Sequence, residues 1–247
     1  IGALKPSSEI IRSGLNARID LDIMGFFNFK SLFTSGTEYF IWFKNSFLLT
    51  IVQTLLSLFV SASVAYGFAM YEFKMKKLWF SCMLLIMMIP MEIIMLPLYK
   101  EMITFQLIDR FTGVLLPFIA APIPIFFFYQ FLKGISTAFL DAARVDGCTE
   151  IGIFVKIILP LMAPAFASMG IYQGMISWNN FLWPLIVLKS NSKMTLPIGL
   201  STLMTPYGNN YDILLAGSVM AIIPVLILFL AFQKYFIAGM TAGGVKG

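Results

Sequence analysis

The 247 residues are 59% hydrophobic, 15% aromatic and only 12% charged, with a mean hydropathy of +0.88, which is the composition of an integral membrane protein. The formal charge of +5 arises from 17 Lys and Arg against 12 Asp and Glu, and the basic residues are scattered, which argues against a nucleic-acid surface. Histidine is absent, so histidine triads, histidine proton relays and histidine zinc motifs are excluded; Cys82 and Cys148 indicate neither a disulfide framework nor a metal site.

Residues 1–44 mix charges with Asn28, Gly36 and isolated aromatics, carry no signal-peptide pattern, and read as an irregular extracytoplasmic segment with room for one surface helix. From Asn45 to about Met70 the chain is apolar for long enough to cross a hydrocarbon core of about 30 Å at about 1.5 Å per residue. Ser57, Ser61, Ala65 and Ala69 fall four apart and predict a small-residue stripe where another helix packs closely. Lys74, Lys76 and Lys77 then mark a short cytoplasmic turn. A second span is expected over Leu78–Leu98, with Pro90, Pro97 and Glu92 inside it. A carboxylate two thirds of the way across a span either faces a cavity or reaches an interface at the proline-broken turn, so Glu92 is a candidate pathway residue. The third span, Gly113–Leu132, must bend or break because Pro117, Pro122 and Pro124 each lack an amide donor.

A polar hairpin, DAARVDGCTEIGIFVKIILP, then interrupts the apolar pattern from Asp141 to Pro160. Ala142 and Ala143 favour helix and leave little bulk, Asp141 suits the start of that helix, and Asp146-Gly147 is a stop needing a left-handed residue. Thr149 can cap a second helix with Glu150 in its first turn, running through Ile157 to the proline that opens the next span. The fourth span ends in WNNFLWPLIVL, where Trp178, Phe181 and Trp183 fit an interfacial belt or a sugar-stacking surface. Asn179 and Asn180 fit either hydrogen bonding to hydroxyls at a cavity mouth or a helix-terminal turn. Residues 189–212 are rich in turn formers and read as an extracytoplasmic loop. A last span is expected over Ile213–Phe232, followed by a glycine-rich tail at 237–247 that composition alone makes flexible.

The acidic-Ala-Ala block with Gly147 and the closing Ile157, Leu159 and Pro160 resembles the EAA loop of binding-protein-dependent ABC importer permeases, with Asp141 in place of the usual glutamate. The W-N-N-F-L-W-P-L run resembles the block that follows this loop in carbohydrate-importer permeases, and TAGGVKG resembles the ending of the second maltose-type permease subunit. IGALKPSSEI resembles the exit of the first transmembrane helix in sugar importers. The resemblance implies an all-α integral membrane fold, a type I ABC importer transmembrane domain with five spans here and a sixth upstream, and a permease domain over 45–236. It implies that the loop 133–158 is a cytoplasmic coupling helix docking on an ATPase through Asp141, Ala142, Ala143, Asp146, Gly147, Ile157, Leu159 and Pro160. It implies further that Gly243, Gly244, Val245 and Lys246 contact the ATPase pair. The expected role is half of a pathway for a sugar or oligosaccharide in the bacterial cytoplasmic membrane. A second permease, two ATPases and a solute-binding protein complete it; ATP and Mg sit on the ATPases, and this chain binds no cofactor and catalyses no reaction. The family also includes glycerol phosphate transporters. An ATP-independent secondary transporter accounts for the spans and Glu92 but leaves the polar hairpin and the glycine tail unexplained. An intramembrane enzyme lacks the histidine or clustered acids it needs, and no phosphate-binding G-x-x-x-x-G-K-[ST] loop is present.

Overall fold

In the computed structural model the backbone is described for residues 1–14, 16, 18–34, 38–204 and 211–242, and side chains for all of these except 212 and 232–242. All regular structure among the described residues is helical. The N-terminal segment is more ordered than its composition suggested: a turn at Gly2–Leu4 is followed by α1 (Ser7–Ser13) and α2 (Phe27–Thr34). Asn28 is the reason. It is buried in α2 and its amide donates to the carbonyls of Ala3 (2.9 Å) and Lys5 (2.8 Å), tying the two ends of the segment together.

The first long helix, α3 (Tyr39–Met70), starts ahead of the expected span and at about 1.5 Å per residue is long enough to cross a bilayer. The expected second span is two helices, α4 (Lys76–Ile86) and α5 (Met91–Thr104), set at 104° to each other. Pro90 has no amide to donate and restricts Ile89 before it, so the helix cannot continue straight through. The third is α6 (Phe111–Leu115) with a 3-10 turn at Leu116–Phe118, bent by 40° from α7 (Pro122–Lys133), as its prolines required. Next come α8 (Ala138–Val145), α9 (Glu150–Ile153), a π-helical turn at Phe154–Ile158 and α10 (Leu159–Leu161). A 75° bend after Leu161 leads into α11 (Ala163–Trp178). The chain closes with α12 (Leu182–Val187), α13 (Leu196–Thr202) and α14 (Tyr211–Ala242). Among the described residues α3 and the Ile213–Ala231 part of α14 are each long and apolar enough to cross a membrane, and there are up to five spans if each bent pair is one.

The chain forms two compact units. The first comprises Ile1–Leu49, Met102–Val114 and Trp178–Leu228. Its core holds Leu32, Tyr39, Trp42, Trp178, Leu196 and Ala216. Asn45 donates to the carbonyls of Ser192 and Met194, both at 2.9 Å, and the Leu196 amide donates to the Ser46 hydroxyl at 2.7 Å. The connection 189–212, expected as a loop, holds one short helix, α13, with Leu196 and Ile198 buried. Pro197 presets the first helical turn, and Gly199 leaves room for the Trp42 ring, which a Cβ there would meet at 2.0 Å.

The second unit comprises Thr50–Glu101, Leu115–Ser177 and the chain from Phe229 onward. Leu58, Ala62 and Ala65 of α3, Phe128 and Leu132 of α7, and Met162, Ala165 and Met169 share its core with Leu140, Ala143, Ile153 and Ile158. The expected small-residue stripe is buried at Ser57, Ser61 and Ala65. Beside it the Gln173 amide donates to Ser57 Oγ (3.2 Å) and Ser177 Oγ donates to Gln53 Oε1 (3.1 Å). Interhelical hydrogen bonds in apolar surroundings are each worth about 0.6 kcal/mol.

Candidate functional site

The polar hairpin is built by local chemistry at each of its turns. In α8 the residues three apart, Leu140 and Ala143, are buried, whereas Asp141 and Ala142 face outward. The helix ends in a Schellman arrangement: the Cys148 amide donates to the Ala143 carbonyl at 2.9 Å and the Gly147 amide to the Arg144 carbonyl at 3.0 Å. Gly147 supplies the left-handed residue this needs, at φ +78°. Thr149 then caps α9, its hydroxyl accepting from the Gly152 amide at 3.1 Å, with Glu150 in the first turn. The helix continues through the π-helical turn past Pro160 to Leu161, one residue beyond the proline expected to open the next span.

Of the residues singled out by sequence, Asp141, Ala142, Asp146, Gly147 and Pro160 are exposed, Ile157 and Leu159 half-buried, and Ala143 buried in the core. The outward face also carries Phe139, Val145 and Ile151, at 52%, 89% and 77% exposure. Sequence reasoning passed over these three because apolar residues in a hairpin bounded by spans look like core. It also passed over Arg144. The guanidinium donates through Nε to Glu150 Oε1 at 2.8 Å and through Nη2 to Oε2 at 3.3 Å, while Nη1 reaches Asp141 at 3.3 Å. The Tyr71 hydroxyl donates to the same Glu150 carboxylate. Burial, and then this bond to Glu150, push the Tyr71 hydroxyl well above the usual tyrosine range, so it remains a donor.

The pathway candidates lie in different units. Trp178 and Asn179 border a cavity of about 350 Å³ in the first unit, together with Pro197, Leu200, Ser218 and Ile222. Asn180, half-buried, follows in the chain. Trp178 is buried, its indole N–H donating to the Ala221 carbonyl at 3.1 Å and its ring set edge-on to Phe43 at 5.5 Å. Trp183 is 1% exposed and donates to the Gly113 carbonyl at 3.1 Å. The belt reading is therefore corrected for both tryptophans, which are core residues whose N–H groups have protein partners. Glu92 lies in the second unit, exposed in the first turn of α5, and not two thirds along a straight helix; the break at Pro90 resets the count. Gly243, Gly244, Val245 and Lys246 lie outside the described residues.

A further anchor in the first unit is Asp109, held at φ +57°. Its carboxylate accepts from the amides of Lys189 (2.9 Å) and Ser190 (3.0 Å), from the Ser190 hydroxyl, and from Lys193 Nζ (2.9 Å). The Ser190 hydroxyl first, then the two amides and Lys193, hold its carboxyl well below the usual range. No group of three or more potential metal ligands occurs among the described residues.

The sequence and the fold have counterparts among known proteins. The family model described as binding-protein-dependent transport system inner membrane component matches residues 57–242. The arabinooligosaccharides transport system permease protein AraQ of Bacillus subtilis is 56% identical over 247 residues, covering 100% of this chain and 88% of that one. The lactose transport system permease protein LacG of Rhizobium radiobacter is 35% identical over 246 residues, with 100% and 88% covered. A solved bacterial ABC transporter involved in the import of the acidic polysaccharide alginate contains a chain with a TM-score of 0.83 at 22% identity, covering 95% of this chain and 87% of that one, and so shares the fold. An all-helical architecture of bent apolar spans, with a match over three quarters of the chain, places this protein in the family of binding-protein-dependent transport system inner membrane components.

Proposed function

We propose that this chain forms half of the translocation pathway of an ATP-driven importer for an oligosaccharide, in the bacterial cytoplasmic membrane. A second homologous permease subunit completes the pathway, and an extracytoplasmic binding protein delivers the sugar. Two cytoplasmic ATPase subunits hold ATP and Mg. The observation that carries this reading is the two-faced hairpin. Leu140, Ala143, Ile153 and Ile158 are built into the same core as the spans, while Phe139, Val145 and Ile151 stand exposed beside Asp141, Ala142 and Asp146. A polar segment has little reason to display three large apolar side chains to water unless a partner covers them. A partner that moves this face moves the core behind it, because packed interiors transmit displacement rather than absorb it. The residues on this chain bind and transmit; the energy is supplied by the partners.

The oligosaccharide reading rests on the relatives named for arabinooligosaccharides and lactose. It is tested by uptake of radiolabelled arabinotriose, lactose and glycerol 3-phosphate into vesicles holding the whole importer. ATP-dependent accumulation of arabinotriose or lactose is expected. Accumulation of glycerol 3-phosphate alone would assign the chain to the other polar-solute branch, and uptake unaffected by removing ATP would overturn the ATP-driven reading.

A further inference from the structure

We propose that Arg144, Glu150 and Tyr71 form a clamp that fixes the hairpin to the end of α3 as one rigid body, making Arg144 and Glu150 positioning residues for coupling. Arg144 and Glu150 flank the Gly147 stop, one near the end of α8 and the other at the start of α9. Their two-bond contact spans the turn and braces the angle between the helices, adding to the backbone bonds of the turn itself. Tyr71 immediately follows α3, and its hydroxyl brings that helix to the same carboxylate. The Tyr66 ring packs on Phe154 at 4.9 Å and edge-on to Tyr71 at 5.5 Å, so the polar contact is backed by aromatic packing. Lys76 Nζ donates to the Tyr71 carbonyl at 2.8 Å and to Glu72 at 2.7 Å, which adds the start of α4.

An exposed ion pair by itself contributes little to stability. The significance of this one is geometric: Glu150 is contacted both by α8, through Arg144, and by Tyr71, the residue that follows α3. A push on the outward face of α8 therefore reaches α3 without loss at the turn. This inference rests on the proposed reading that an ATPase docks on the hairpin, and the test separates the two.

The complete importer, with its second permease, ATPases and binding protein, is reconstituted in vesicles carrying Arg144→Glu, Glu150→Arg, or both. ATP hydrolysis and arabinotriose uptake are followed together. Each single reversal is expected to lower the arabinotriose transported per ATP at least tenfold, and the double reversal to regain it to within about threefold of the original. A merely structural pair would change the amount of assembled complex and leave this ratio alone. Singles that keep the ratio, or a double no better than the worse single, overturn the clamp. In parallel, Val145→Cys in the otherwise unchanged chain is crosslinked toward the ATPase. Absence of any crosslink, with the ratio still regained by the double reversal, removes the docking reading while the clamp stands.

Discussion

Gly147 shows how much one backbone angle can decide. At φ +78° a Cβ would meet nothing within 4 Å, so a substitution here is opposed by the backbone conformation and not by any neighbour. The expected order of damage is therefore set by tolerance of the left-handed region: Gly147→Asn least, Gly147→Ala about 1 kcal/mol, and Gly147→Val the most. Thermal unfolding of the purified chain in detergent measures it, and equal melting temperatures would show that the helix end has another conformation available. Asp109 is limited by electrostatics. Its folded pKa lies below the ordinary 3.8, so the stabilisation is fully present above the unfolded value and is lost only as pH falls through the folded one. Between pH 7 and pH 5 the tether to Lys189, Ser190 and Lys193 should not titrate. Asp109→Asn is expected to lower the melting temperature equally at both values, because the amide keeps one acceptor but loses the charge that Lys193 pairs with. A loss seen at pH 7 and absent at pH 5 would contradict this.

Elements were legible from sequence where their causes are local. The stop at Asp146-Gly147 and the Thr149 cap are set by residues within one turn, and both form as expected. The Tyr71–Glu150 bond joins residues 79 apart, and no periodicity announces such a pair. Prolines announced that the spans would break, but not that Pro90 would turn the chain through 104° and put Glu92 in a first turn. The helix α13 was hidden for a different reason. Its surroundings are rich in turn formers, yet Pro197 and Gly199 serve the helix, one by starting it and the other by admitting Trp42. Gly199→Ala is expected to cost about 1–3 kcal/mol, since a Cβ 2.0 Å from a buried indole forces the ring or the helix to move. A falling melting temperature, with Gly67→Ala, whose Cβ meets nothing within 4 Å, left near the original, would localise the effect to that contact. Unchanged stability for Gly199→Ala would mean that Trp42 has space to withdraw.

At the scale of the whole molecule, the chain leaves large apolar side chains exposed along its long helices, among them Phe40, Leu55, Phe59 and Leu226, Ile227 and Leu230. Lipid is a surrounding that suits such faces, as is the second permease subunit proposed above. The C-terminal residues pose the opposite problem. Helix α14 runs to Ala242, and the five residues that follow are Gly243, Gly244, Val245, Lys246 and Gly247. Three glycines and one apolar residue offer little apolar side-chain surface, while ordering a backbone costs about 1–2 kcal/mol per residue. On the proposed reading they act on transport through contact with an ATPase subunit, where glycines would let that partner approach the backbone closely and Lys246 would supply a charge. Deleting 243–247 is therefore expected to leave helix content and melting temperature unchanged. In the reconstituted importer it should lower arabinotriose uptake severalfold without lowering the yield of assembled complex. Crosslinking of Val245→Cys to an ATPase subunit, compared with and without ATP, locates the contact. Uptake and ATP hydrolysis both unchanged by the deletion, together with no crosslink in either state, would remove the tail from the coupling machinery and leave that task to the hairpin.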